Sequence, residues 1–203
     1  MPIRKSLFRK WWFWVIAVPI ILFIALVIYR IPAVREQQRT QEVVAQIHAQ
    51  RLTMNDVNGE HLPPPPDPAL ADATIEGIDA NKNGIRDDVE LAIFKKYPNS
   101  AKIRSAELQY AKALQMELMA FNSETLVAAM QEKGRGFGCI YDSVSKSAEK
   151  NTIISERKLE VERLVFSTSE RQRKIEDVFD KYMTSFTTLQ GQDCDLNTAQ
   201  LMN

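Results

Sequence analysis

Five oxygen-bearing side chains recur at a spacing that suits one hard cation. In the stretch GIDANKNGIRDDVE, residues 77–90, counting from Asp79 as position 1, Asp79, Asn81, Asn83, Asp87 and Glu90 fall at positions 1, 3, 5, 9 and 12. Gly84 takes position 6, where a chain wrapped round an ion must turn sharply, and Ile85 at position 7 offers its main-chain carbonyl. A calcium ion takes about six to eight oxygens; alternate residues of a tight loop supply them from inside, and a bidentate carboxylate closes the sphere. With Asp plus Asn at ~10% of residues and Gly and Glu at ~6–7% each, positions 1, 3, 5, 6 and 12 match by chance in roughly one chain of this length per thousand. The plainer reading is an Asn/Asp/Gly-rich turn that caps the following helix, with Asp87 or Asp88 near its N-terminus. Calcium is the expectation carried forward, with Asp79, Asn81, Asn83, Ile85, Asp87 and Glu90 as its ligands.

These residues resemble the EF-hand-like calcium loops of bacterial secreted proteins, especially the D-x-[DN]-x-[DN]-G-[IV]-x-D type of thrombospondin type 3-like repeats. The resemblance covers about 14 of the 203 residues and implies an ion site. Two departures stand out. Position 8, apolar in a regular EF-hand, is Arg86, and the apolar residue sits one place earlier at Ile85. The entering segment ADATIEGI is short and interrupted by Gly77, and no second loop of this kind occurs in the chain.

Other chemistry is sparse. The two histidines, His48 and His61, fall in polar and proline-rich stretches, where no rigid scaffold is expected. Asp87 and Asp88 could be read as an acid–base pair, but the calcium loop already accounts for Asp87. The run GRGFG, residues 134–138, lacks the preceding strand and the Lys-Ser/Thr of a phosphate-binding loop, so it is read as a break between helices. No enzyme is expected, and no small-molecule substrate. Cys139 and Cys194 are the only cysteines, and no CxxC motif suggests redox catalysis. Outside the cytoplasm such a pair is most simply a disulfide.

The elements that must hold the loop begin with an anchor. Residues 11–29, WWFWVIAVPIILFIALVIY, carry no charge. As a helix they span about 28 Å, close to the ~30 Å hydrocarbon core of a bilayer. Trp11, Trp12, Trp14 and Tyr29 mark the two ends, where aromatic rings favour the interface. A cleaved signal peptide would have a shorter apolar region and a small-x-small site, so an uncleaved anchor in the lipid bilayer is expected. Arg4, Lys5, Arg9 and Lys10 precede the span, against Arg30, Arg35 and Arg39 soon after it. That bias, the calcium loop and the cysteine pair favour a bacterial inner-membrane protein with a cytoplasmic N-terminus and a periplasmic C-terminal domain.

From Arg30 onward the chain carries 22 basic against 26 acidic side chains, which argues against a nucleic-acid partner. Residues 30–54 read as a polar helical stalk whose narrow face of Val43, Val44 and Ile47 could pair two copies in a homodimer. Residues 55–76 contain Pro63, Pro64, Pro65, Pro66 and Pro68, a proline-rich linker in which no helix is expected. Residues 77–203 form the remaining domain, mainly α. Helices are expected over 87–97, from about 100 to 133, from about 143 to 166, and from a capping box of Ser167 with Glu170 onward. The last carries a stripe of Ile175, Val178, Phe179, Tyr182, Phe186 and Leu189, and such helices pack as an antiparallel bundle. The expectation is an anchored helical domain with a structural calcium ion. Its rival is a module that docks an envelope protein, the loop serving as a capping turn or shaping the docking face.

Overall fold

The computed structural model describes residues 4–189 and 191–201; the side chains of residues 4–10, including the four basic residues behind the orientation, and of residue 13 lie outside that description. Among the described residues the chain forms eight helices and no strand. They are α1 (Arg4–Ala49), α2 (Met54–Asn58), α3 (Pro68–Ala71), α4 (Asp87–Lys96), α5 (Ala101–Leu118), α6 (Ser123–Ser143), α7 (Lys150–Val165) and α8 (Ser169–Tyr182), followed by a 3-10 turn at Thr198–Gln200. The chain divides into two compact units, Met1–Glu42 and Val43–Asn203.

The first unit is the greater part of α1, which runs through Pro19 and Pro32 without a break in assignment. It is the one helix, among the described residues, long and apolar enough to cross a membrane, and none of its most apolar window is buried. From Trp14 to Tyr29 its large apolar side chains, among them Ile20, Leu22, Phe23 and Leu26, are exposed all round, as in a helix whose solvent is lipid.

The second unit is built round α5. Ser100 caps this helix by accepting the Ile103 N–H at 3.2 Å, and alanines at 101, 106, 111 and 113 let neighbouring helices come close. α5 packs chiefly on α6, then on α7, and on α4, α8 and α2. Leu108, Tyr110, Leu114 and Leu118 meet Ile85, Val89 and Ile93 from the loop and α4, Ile140 from α6, and Ile154, Val161 and Val165 from α7. A smaller cluster joins Leu126 and Met130 to Val178, with Phe179, Tyr182 and Phe186 packed against it.

Several boundaries differ from the sequence expectation. The single helix foreseen over about 100–133 is two, α5 and α6, because Asn122 and Thr125 form a reciprocal capping box that starts a new helix. The glycine run does not break the chain; α6 passes straight through it. A Cβ at Gly136 would fall 2.9 Å from the Tyr110 Cα, so glycine there permits close approach of α5 and α6. The turn comes instead at residues 144–149, and α7 starts at Lys150. Thr168, not Ser167, caps α8, accepting the Arg171 N–H at 3.2 Å, and the helix stops at Tyr182, so Phe186 reaches its cluster from irregular chain. The proline-rich stretch contains two short helices. α2 starts on a Thr53–Asp56 capping box and ends at Gly59 with φ 77°, and α3 starts on Asp67 with Pro68 in its first turn. Residues 59–67, which hold the polyproline run, and 72–76 lie outside helix.

Candidate functional site

The 79–90 loop is tied by its own side chains. Asp79 accepts the N–H groups of Asn83 (3.2 Å, Oδ1) and Gly84 (2.9 Å, Oδ2), Asn83 Oδ1 accepts the Ile85 N–H (2.9 Å), and Asp87 Oδ1 accepts the Ala80 N–H (3.0 Å). The Asp87 N–H closes the loop on the Ile78 carbonyl at 2.8 Å. Two residues take left-handed backbone, Lys82 at φ 58° and Gly84 at φ 85°. At Gly84 the glycine relieves the strain an L side chain would carry, which is the reason for its place at position 6.

Glu90 lies at the inner end of this arrangement. It is 1% exposed, and its two oxygens accept from the Asn81 amide (3.0 Å, Oε2) and the Asn83 amide (3.0 Å, Oε1). These partners are neutral, and burial pushes the Glu90 carboxyl up to about 7. Burial also raises Asp87, which the Ala80 N–H only partly offsets. Asp79, Asn81, Asn83, Asp87 and Glu90 therefore gather in one hydrogen-bonded knot. Ile85 turns its side chain into the core at 1% exposure. Among the described residues no three His, Cys, Asp or Glu side chains gather closely enough to hold a metal by themselves. Two of the five side chains in this knot are amides, and in this arrangement both turn an N–H toward Glu90.

Neither aspartate works as a helix cap. Arg86 is the N-cap residue of α4 and makes no side-chain cap bond; Asp87 reaches back across the loop, and Asp88 pairs with Arg86. The Arg86 guanidinium is fully buried. It donates to the Leu164 carbonyl (2.8 Å), the Val165 carbonyl (3.0 Å) and the Ser167 hydroxyl (3.1 Å), satisfying the open end of α7. This explains the departure at position 8. Arg171 does the same for the entering segment, donating to the carbonyls of Ala71 (2.6 Å), Thr74 (3.1 Å) and Ile75 (3.2 Å) and pairing with Asp72. On the far side, Gln115 of α5 donates to the Glu76 carbonyl at 2.9 Å. Lys112, buried beside Gly84, has its pKa lowered by that burial.

Cys139 and Cys194 stand at disulfide distance, with their Cα atoms 4.7 Å apart. Gln109 grips the chain on both sides of Cys194: its Nε2 donates to the Asp193 carbonyl (2.7 Å) and its Oε1 accepts the Asp195 N–H (2.9 Å). Asp195 in turn accepts the Leu52 N–H (3.0 Å) and pairs with Arg51 and Arg135. His48 is not isolated, as its stretch suggested; its Nδ1 lies 2.8 Å from Glu132, which also pairs with Arg51 and Arg135. No sequence signal announces that cluster, because its members come from four separate stretches.

A cavity of about 250 Å³ adjoins the loop. Val43, Ile47, Ile85, Met116 and Met119 line it, with Asp79 and Gly84 in its wall. No family model, curated protein or solved structure matches the chain.

Proposed function

We propose that this is a membrane-anchored, calcium-binding helical domain, held on the exported side of a bacterial inner membrane by residues 11–29 with the N-terminus cytoplasmic. The observation that carries the reading is Glu90: a buried carboxylate whose only partners are the Asn81 and Asn83 amides, placed among the other oxygen-bearing side chains of the loop. The donor set is all oxygen, which suits a hard cation. Asp79, Asn81, Asn83, the Ile85 carbonyl, Asp87 and Glu90 would hold it. Bound there, calcium would supply positive charge beside Glu90 and Asp87, whose hydrogen-bond partners are neutral. Arg86 and Ile85 fasten the loop to α7 and the core, so the ion's effect passes into the stability of the bundle. The disulfide-distance cysteine pair fits the oxidising compartment this topology requires.

Three charged ligands in an unpaired loop imply weak affinity, about 10⁻⁴–10⁻³ M, in the range of extracellular modules. At ten times that dissociation constant the ion stabilises the fold by ~1.4 kcal/mol. The test is a thermal melt of the full chain in lipid nanodiscs, in chelator and in millimolar calcium, with magnesium as control. A calcium-selective rise in Tm is expected, and no shift would remove the ion from the account.

A second reading takes the domain as an interaction module for an envelope protein. The apolar cavity favours it, since loop residues share a wall with Met116 and Met119. Crosslinking in intact envelopes, with and without calcium, separates the two: a partner captured only with the loop intact supports docking.

A further inference from the structure

One hydrogen bond ties the loop to the proline-rich segment. Asn81 Nδ2 donates both to Glu90 Oε2 and to the main-chain carbonyl of His61, each at 3.0 Å. His61 stands in the short turn after α2, where Leu62 N–H reaches back to the Gly59 carbonyl at 3.5 Å and Pro63 is buried. The proline-rich segment is thus joined to the loop through the side chain at position 3.

That side chain cannot serve both ends once an ion is bound. A cation on the Glu90 carboxylate repels an N–H pointing at the same oxygens, and it draws the carboxamide oxygen inward instead. The carboxamide is planar and rigid, so its oxygen, which here accepts the Asn83 N–H at 3.3 Å, and its nitrogen turn together. Turning the oxygen toward the ion therefore carries the nitrogen away from His61. His61 is an exposed residue, so water can replace the lost donor.

We propose that the loop is a calcium-operated latch on the proline-rich segment: Asn81 holds the turn at residues 59–62 when the loop is ion-free and lets it go when calcium binds. The inference rests on the calcium reading above and adds what the ion regulates. The latch makes the reach of the segment between α2 and α3 depend on calcium.

Hydrogen exchange of the full chain in nanodiscs, followed by mass spectrometry, reads this directly. Residues 63–66 are prolines without N–H groups, so a peptide covering residues 59–66 reports only the turn. Calcium should speed its exchange about fivefold, the weight of one net hydrogen bond. Asn81→Asp keeps a ligand oxygen but has no N–H to give, so it should exchange fast in chelator and respond no further to calcium that it still binds. Asn81→Ala, which adds no charge beside Glu90, should also exchange fast in chelator. Calcium bound by the wild-type chain with unchanged or slower exchange at residues 59–62 would overturn the latch alone. Wild-type exchange rates in chelator for both variants would do the same. Failure of the wild-type chain to bind calcium in a parallel calorimetric titration would overturn the ion reading and the latch with it.

Discussion

Glu107 and Glu90 are buried to the same degree, yet only Glu107 has a cation as its hydrogen-bond partner. Glu107 accepts from the Arg157 guanidinium at 2.7 Å, and Arg157 also donates to Ser143. Glu117 has Lys133 at 2.6 Å, and Glu132 has Arg51 and Arg135. In the bundle, then, each of these buried carboxylates finds a cation from another helix or from the next turn of its own. In the loop, Glu90 finds two amides and Asp87 a backbone N–H. A buried charge left with neutral partners is costly, and proteins relieve it by protonation or by a cation. The bundle supplies cations to its buried carboxylates; in the proposed reading, calcium would supply one to the loop.

The comparison breaks most sharply at Arg157. Arg157→Ala leaves Glu107 buried without its partner and should cost about 3–5 kcal/mol, read as a large fall in the denaturant midpoint. Replacing Glu107 and Arg157 together by Gln and Met should recover much of that loss, because the pair contributes little net once both charges are gone. Next comes the covalent tie. Replacing Cys139 and Cys194 by Ala opens a loop of about 56 residues and should cost on the order of 4 kcal/mol by chain-entropy accounting. It should also loosen Asp195 from Leu52 and Arg51, visible as faster exchange at Leu52. At the loop, the opposite pattern is expected. Glu90→Gln should leave the protein in chelator as stable as the wild type or more so, since it removes an uncompensated buried charge. The same variant should lose the ~1.4 kcal/mol that calcium adds at ten times the dissociation constant. A Glu90→Gln protein that melts several degrees lower in chelator would show that the carboxylate is already well paired, and the contrast with Glu107 would fall.

The parts of this molecule legible from sequence are those encoded locally. An unbroken apolar run makes the N-terminal half of α1 recognisable, and the close spacing of Asp79, Asn81, Asn83, Asp87 and Glu90 puts them in one turn of chain whose hydrogen bonds are largely its own. The cysteine pair is legible because there are only two cysteines to pair. What escaped depends on partners far along the chain. Gly136 looks like a breaker until the Tyr110 backbone lies against it. Arg86 looks misplaced at the apolar position of an EF-hand-like pattern until the carbonyls of Leu164 and Val165 stand over it. His48 looks solvated until Glu132 arrives from α6. The Asn122–Thr125 box is legible in the residue types, but apolar residues at helical spacing, Tyr110, Leu114, Leu118 and Phe121, favour the one helix expected over about 100–133. The core contacts on either side gave that pattern, while capping chose the boundary.

The smallest effect expected concerns pH, and it sharpens the contrast inside the bundle. Burial raises the pKa of Glu107 and of Glu117 above the ordinary glutamate value, outweighing the Arg157 and Lys133 charges that pull the other way. A carboxyl raised on folding holds its proton more tightly in the native state than in the unfolded chain. Its contribution to stability is therefore fully present below the unfolded value of about 4.5 and is lost as pH rises through the folded value. In chelator the domain should melt at a higher temperature near pH 5 than at pH 7, the reverse of a protein held by exposed ion pairs. Glu117→Gln removes one of these titrations and should flatten the difference between the two pH values, whatever it does to the absolute Tm. An unchanged pH difference would mean that Lys133 compensates Glu117 fully. Glu117 would then be a balanced pair, and burial would cost the bundle nothing there.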